Sequence, residues 1–195
     1  TMITDAIGNV TTNVYDANDR LVSSTDAEGN LNSFVYDPAG NRTDKTDGNG
    51  NVTSYAYDAM NRLTTLTDAG GNVTGYTYDP IGNRLSETDP NFNATSYAYD
   101  AVNRTLSVTN ANGAVTGYAY DAVGNKVATT DPLGNTTSYT YDALNRLKTV
   151  TGPESGVTSY TYDAAGNRTS VTDAKGYETT YVYDPIHQPV SITDA

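Results

Sequence analysis

At 195 residues the chain has room for one or two domains. Apolar residues make up 36%, and Trp and Cys are absent, which excludes a thick aliphatic core, a disulfide framework and a thiolate metal site. A net charge of −12 argues against nucleic-acid binding, which needs a basic stripe, and no stretch has the apolar length of a membrane span.

The chain repeats itself from end to end. A Tyr-Asp pair recurs as Tyr15-Asp16, Tyr36-Asp37, Tyr57-Asp58, Tyr78-Asp79, Tyr99-Asp100, Tyr120-Asp121, Tyr141-Asp142, Tyr162-Asp163 and Tyr183-Asp184, always 21 residues apart. A fixed period of this size means a repeat array, here a single array of about nine copies over residues 1–195. The chain begins inside one repeat, at Thr1, and stops inside another, at Ala195. Neither end has the look of a cap, and the expectation is a segment of something longer.

Each repeat holds two turns of one grammar, Asp-[Ala/Pro]-x-[Gly/Asn], as in Asp37-Pro38-Ala39-Gly40 and Asp26-Ala27-Glu28-Gly29. Asp at the first position accepts amide hydrogen bonds, Pro at the second presets φ, and Gly or Asn at the fourth tolerates the left-handed region. This predicts a type I turn closed by a G1 bulge. Of the 19 Asp residues, 17 hold this position, so most of the acidity follows from turn chemistry. The turns are 11 and 10 residues apart in alternation, leaving strands of about six residues rich in Val, Thr and Tyr. No 3.6-residue apolar period competes with them. The fold class expected is all-β: antiparallel β-hairpin repeats in a meander, coiling into a spiral wall that forms a hollow shell or tube, because a long open sheet twists and its edges need covering.

Along Val52–Tyr57 the side chains alternate. Thr53, Tyr55 and Tyr57 share one face, while Ser54 and its counterparts Gly75, Ser96 and Gly117 keep the other face small. The bulged turn places each Tyr of the pair opposite the residue six positions on. That residue is Leu21, Leu63, Thr105 or Leu147 in odd copies and Arg42, Arg84, Lys126 or Arg168 in even ones, so Tyr is expected to meet an aliphatic or a cation. The full period is therefore 42 residues. Duplication of a hairpin pair and two kinds of neighbour contact both explain it. Three places depart from the grammar: Phe92, the turn Gly152-Pro153-Glu154-Ser155-Gly156, and the turn containing His187.

These motifs, strand-Tyr-x-Tyr-Asp followed by Asn-Arg-Leu or Gly-Asn-Arg, resemble the YD-repeat (Rhs-type) family over the whole chain. The resemblance implies a strip of β-hairpins spiralling into a hollow shell, as in bacterial Rhs proteins, toxin-complex shell components and teneurins. It also implies a place outside the cell or on its surface, in a bacterium or archaeon. Functionally it implies a non-enzymatic wall of a shell, tube or surface filament. The alternatives are a wall around an enclosed toxin and an adhesion module binding carbohydrate or protein.

Nothing in the residues points to catalysis or a cofactor. His187 is the only His, so a His-dependent triad or a His-rich metal site cannot be assembled within one chain. Calcium at Asp47-Gly48-Asn49-Gly50-Asn51 is disfavoured, since the sixth and twelfth positions of an EF-hand loop fall on Val52 and Asp58. No catalytic, cofactor-binding or metal residue is assigned, and the Tyr and Asp of the nine pairs are assigned as the structural repeat motif. The partners expected are more repeats of the same chain or further copies, meeting at exposed strand edges; an enclosed polypeptide or glycans are the alternatives.

Overall fold

The computed structural model describes residues 1–195 and contains 19 strands and no helix. It divides into two compact units, Thr1–Ser96 and Tyr97–Ala195. The first holds β1 (Met2–Thr4), β2 (Val10–Tyr15), β3 (Leu21–Thr25), β4 (Leu31–Tyr36), β5 (Arg42–Thr46), β6 (Val52–Tyr57), β7 (Leu63–Thr67), β8 (Val73–Tyr78), β9 (Arg84–Thr88) and the start of β10 (Ala94–Tyr99). The second holds the end of β10 with β11 (Thr105–Thr109), β12 (Val115–Tyr120), β13 (Lys126–Thr130), β14 (Thr136–Tyr141), β15 (Leu147–Thr151), β16 (Val157–Tyr162), β17 (Arg168–Thr172), β18 (Glu178–Tyr183) and β19 (Pro189–Thr193). Within each unit successive strands pair antiparallel, which is the meander expected from the turn spacing.

Both kinds of turn have the same backbone. In the Tyr-Asp turn at Asp58, the Asn61 amide donates to the Asp58 carbonyl and the Asp58 amide to the Arg62 carbonyl, each at 3.0 Å. In the plain turn at Asp68, the Gly71 amide donates to the Asp68 carbonyl at 2.9 Å and the Asp68 amide to the Asn72 carbonyl at 3.0 Å. The fourth residue is left-handed throughout, with φ 62° at Asn61 and 82° at Gly71. The three departures keep this backbone: Phe92, Ser155 and His187 sit at φ 64°, 62° and 66°. The turn at Gly152, which has no Asp at its first position, makes the same two backbone bonds.

One feature separates the two turns. Beside eight of the nine Tyr-Asp turns the register shifts by one residue: Ala56 faces Thr65 while Tyr57 faces Leu63, leaving Thr64 unpaired. The ladder at the plain turn runs without a shift, from Asp44–Ser54 to Thr46–Val52. This shift is what an odd period requires. Tyr55 faces Leu66, Leu66 faces Thr74, and Thr74 lies two residues before Tyr76. Tyr55 and Tyr76 therefore share a face although they are 21 residues apart. Without the shift Tyr55 would face Thr65, and the next Tyr would fall on the other side of the sheet, because side chains alternate strictly.

No hydrophobic residue is buried, and the one buried residue of any type is Ser170. The Tyr faces are half-buried by their neighbours along the sheet. The small faces are rich in hydroxyls, which pair across strands, as in Thr77–Ser86 at 2.6 Å and Thr161–Ser170 at 2.8 Å. Every residue of β1 and β19 is exposed.

Candidate functional site

The nine Tyr-Asp pairs stand where strands end and turns begin. Each Tyr closes its strand and each Asp opens the turn. The Asp carboxylate is engaged inside its own turn. In Asp58, Oδ1 accepts the amides of Met60 at 2.9 Å and Arg62 at 3.0 Å. Its Oδ2 accepts Nε and Nη2 of Arg62, both at 2.7 Å. In the plain turn Asp68 does the same with neutral partners: Oδ1 accepts Gly70 and Asn72 amides, and Oδ2 accepts Asn72 Nδ2 at 2.8 Å. These donors hold both carboxyls below the ordinary carboxylate value, led at Asp58 by the Arg62 side chain and at Asp68 by the Asn72 side chain. Asp47, in the loop weighed above for calcium, is occupied in the same way by Asn49 and Asn51. No group of three His, Cys, Asp or Glu side chains stands close enough to hold a metal ion.

The Tyr of the pair has a specific task. Tyr78 donates its phenol O–H to the Leu63 carbonyl at 2.8 Å, and Tyr36, Tyr57, Tyr120, Tyr141, Tyr162 and Tyr183 reach the same carbonyl of the preceding hairpin. The ladder between β7 and β8 stops at Thr65–Gly75, so Leu63 lies beyond it and the phenol supplies a donor where the ladder has none.

Successive Tyr-Asp turns are tied together in two alternating ways. In odd copies an arginine bridges. Arg62 holds its own Asp58, donates through Nη1 to the Asp79 carbonyl of the next turn at 2.6 Å, and lies 4.7 Å from the Tyr78 ring centre. Arg20, Arg104 and Arg146 repeat the arrangement on Asp37, Asp121 and Asp163. In even copies an asparagine bridges. Asn41 Nδ2 donates to its own Asp37 and to Asn61 Oδ1 of the next turn, both at 2.8 Å. Asn125 reaches Asn145 at 3.0 Å, and Asn167 reaches His187 Nδ1 at 3.1 Å. The 42-residue period thus has a structural content: Arg and Asn links take turns along one edge.

The register expected for the even copies is present, with Tyr36 opposite Arg42 and Tyr162 opposite Arg168. The expected Tyr–cation contact needs correction. Arg42 does not stack on Tyr36; its guanidinium lies 5.7 Å from the Phe34 ring and 4.9 Å from Tyr55. Arg20 already covers Tyr36, at 4.8 Å, and a long cation reaches its diagonal neighbours instead. Lys126 likewise lies between Tyr118 and Tyr139.

The plain edge has no counterpart of the bridging Arg. Its neighbouring turns meet by packing, tightly enough at Gly48 that a Cβ there would stand 2.8 Å from the Asn30 Cβ. Between them lie shallow recesses, one lined by Lys45, Asp47, Asn51, Thr53 and Asp68 with a volume of about 430 Å³. Charge divides unevenly as well. The Tyr-Asp turns with the first residue of each following strand carry ten carboxylates and eight cations, a net of −2, which leaves −10 of the total −12 for the rest of the chain.

A pattern of this kind has known relatives. The Teneurin YD-shell family model matches residues 46–195, and the RHS Repeat model matches residues 1–31. No curated protein sequence matches the chain. Among solved structures, the crystal structure of TcdB2-TccC3-Cdc42 aligns over 95% of this chain with a TM-score of 0.67 and 17% identity. A mutant Tc holotoxin pore from Photorhabdus luminescens aligns over 94% with a TM-score of 0.67 and 18% identity, and TcdB2-TccC3 without its hypervariable C-terminal region over 95% with 0.66 and 18%. At that identity the likeness is one of fold, and the chain spans only 12% of the length of each of these proteins. With the nine Tyr-Asp turns, the matching family model over most of the sequence and the shared hairpin fold, the chain belongs to the Teneurin YD-shell family.

Proposed function

We propose that the chain is one stretch of a non-enzymatic β wall, an array of about nine repeats within a longer protein that coils into a hollow shell, tube or surface filament outside the cell. The observation that carries this reading is the absence of any buried hydrophobic residue in a fully registered sheet. A sheet that packs on no second layer is usually marginal. Here the layer is held by turn bonds, phenol caps and cation–ring contacts within itself, which suits a wall wet on both sides. The alternation of Arg and Asn links supports it further, since each link needs a following repeat to receive it. The partners are more repeats of the same kind, added at strands such as β1 and β19. No helix is long and apolar enough to cross a membrane. The Tc holotoxin among the similar structures supports a second reading, a wall that encloses a polypeptide. Electron microscopy of a tandem array of this sequence tests the proposal: a hollow coil of single-sheet thickness supports it, and solid globules or a two-layer sandwich refute it.

A further inference from the structure

The third position of a turn is its tip, and tips are ordinarily polar or small. At the plain edge the tips follow that rule in seven of nine turns, Ile7 and Leu133 being the exceptions. At the Tyr-Asp edge the rule is reversed in six of nine turns: Met60 and Ile81 in the first unit and Val102, Val123, Leu144 and Ile186 in the second are large and apolar, while Asn18, Ala39 and Ala165 are not. The six apolar tips are 59–71% exposed. Two strands per repeat set neighbouring tips about 9.6 Å apart, so Val102, Val123 and Leu144 form an evenly spaced apolar row. The charge along this edge is nearly balanced, with ten carboxylates and eight cations in the turns and the first residues of the following strands, whereas the plain turns counted in the same way carry ten carboxylates and one cation.

From this we infer that the Tyr-Asp edge is a docking surface for the same edge of a second copy of this chain. The balance of charge selects the occupant. Plain edge against plain edge brings like charges together, which costs free energy. A Tyr-Asp edge against a plain edge gains no attraction, since both are negative, and brings aliphatic tips against the turn carboxylates of the plain edge, such as Asp47 and Asp68. Two Tyr-Asp edges meet with the least repulsion, and their identical spacing lets the aliphatic tips of one fall between those of the other. Such a contact is isologous and closes as a two-fold dimer. The surface is lateral, along the turns, and is distinct from strand addition at β1 or β19. It does not depend on the coiled wall proposed above.

Sedimentation velocity of this chain over a wide concentration range tests the inference, with Val123→Asp/Leu144→Asp as the variant and Leu133→Asp as the control. Leu133 is an 87% exposed aliphatic tip on the plain edge. The expected result is a concentration-dependent dimer that the double variant weakens by more than about tenfold and the control leaves unchanged, with far-UV circular dichroism the same for all three. Because the chain has no Cys, Leu144→Cys and Leu133→Cys offer a second reading: oxidation should link copies through Leu144→Cys much faster than through Leu133→Cys. A wild-type monomer at all concentrations overturns the inference, and so does a dimer equally sensitive at both edges. Open-ended association that the double variant leaves intact also overturns it, while leaving the wall proposal standing.

Discussion

Arg62 reaches from its own turn to the Asp79 carbonyl of the next, whereas Asn72, in the same position of a plain turn, reaches no further than Asp68. The backbones of the two turns are alike, and their carboxylates accept the same pair of amides. What differs is the side chain four residues after the Asp and the register shift beside the Tyr. The Gly152 turn shows that the backbone closes without the leading Asp. The Asp therefore adds bonding to a turn that already forms, and at the Tyr-Asp edge that added bonding extends to the neighbouring repeat. One edge transmits order along the strip; the other only closes hairpins. In repeat proteins stability is close to a sum of unit and nearest-neighbour contributions, and here the neighbour contribution is concentrated on one side.

The largest expected effect comes from offsetting the register shift. Deleting Thr64, the unpaired residue, would leave Tyr55 opposite Leu66, whereas inserting one Thr between Leu66 and Thr67 offsets the shift, moves Leu66 opposite Gly75 and sends Tyr76 and every later Tyr of that array to the opposite face. Their rings then lose Arg62 and its counterparts, and the phenol caps are lost with them. We expect a loss of more than about 3 kcal/mol or separation into two independently melting parts. Denaturant unfolding followed by tyrosine fluorescence measures it. An insertion as stable as the parent would show that the shift is incidental.

Next come the links. Arg62→Ala removes the Asp58 ion pair, leaves the Asp79 carbonyl without that donor and uncovers the Tyr78 ring. It should cost roughly 2 kcal/mol, more than one net hydrogen bond and less than a core cavity. Asn72→Ala on the plain edge should cost roughly 0.5–1 kcal/mol, since only a local bond is lost. Arg62→Lys should recover little, because a point charge does not hold a carboxylate, a carbonyl and a ring at once. Equal costs at Arg62 and Asn72 would remove the distinction between the edges.

The hairpins and both turns were legible in the sequence because each is a local device: Asp, Pro and Gly act within five residues, and strand alternation repeats faithfully from Val52 to Tyr57. The 42-residue alternation was visible but open in meaning. The Arg62–Asp79 and Asn41–Asn61 links join residues 17 and 20 positions apart, and such pairs become neighbours only once two strands have folded back. The register shift was implied by an odd period with Tyr on one face, yet parity says only that a shift exists and not which strand carries it. Facing positions alone do not place the Arg42 side chain, because the Tyr36 ring opposite it is already covered by Arg20.

Acid should act on both edges. The carboxyls of Asp26, Asp47, Asp58, Asp68 and Asp89 are all held below the ordinary value, in each case led by the side chain four residues on. A carboxyl with a lowered folded-state pKa contributes stability that is present above its unfolded value, about 3.9, and is lost as the pH falls through the folded value. The melting temperature should therefore hold from pH 7 to about pH 4.5 and fall below about pH 4. These carboxyls are exposed, so each contribution is small and the effect comes from their number. Thermal melts between pH 7 and pH 2.5 check it. A melting temperature that rises in acid would mean that relief of the −12 charge outweighs the turn bonds.

The smallest expected effect isolates a single link. Asn167 Nδ2 donates to Asp163 Oδ2 at 2.8 Å, which identifies that end of the amide as the donor, and it also faces His187 Nδ1 at 3.1 Å. His187 Nδ1 must then carry the lone pair, standing where Asn61 and Asn145 present Oδ1 in earlier copies. His187 also pays a backbone cost at φ 66°, a region that Asn tolerates better and Gly freely. Two substitutions separate these contributions. His187→Gly relieves the backbone and loses the acceptor; His187→Asn relieves much of it and keeps the acceptor. If the link stabilises the β18–β19 hairpin, His187→Asn should be the more stable by about 0.5–1 kcal/mol, read by amide hydrogen exchange at Val182 and Ser191, which face each other across that hairpin. Should Gly equal or exceed Asn there, the last link contributes nothing, and the Asn links of the earlier copies become doubtful with it.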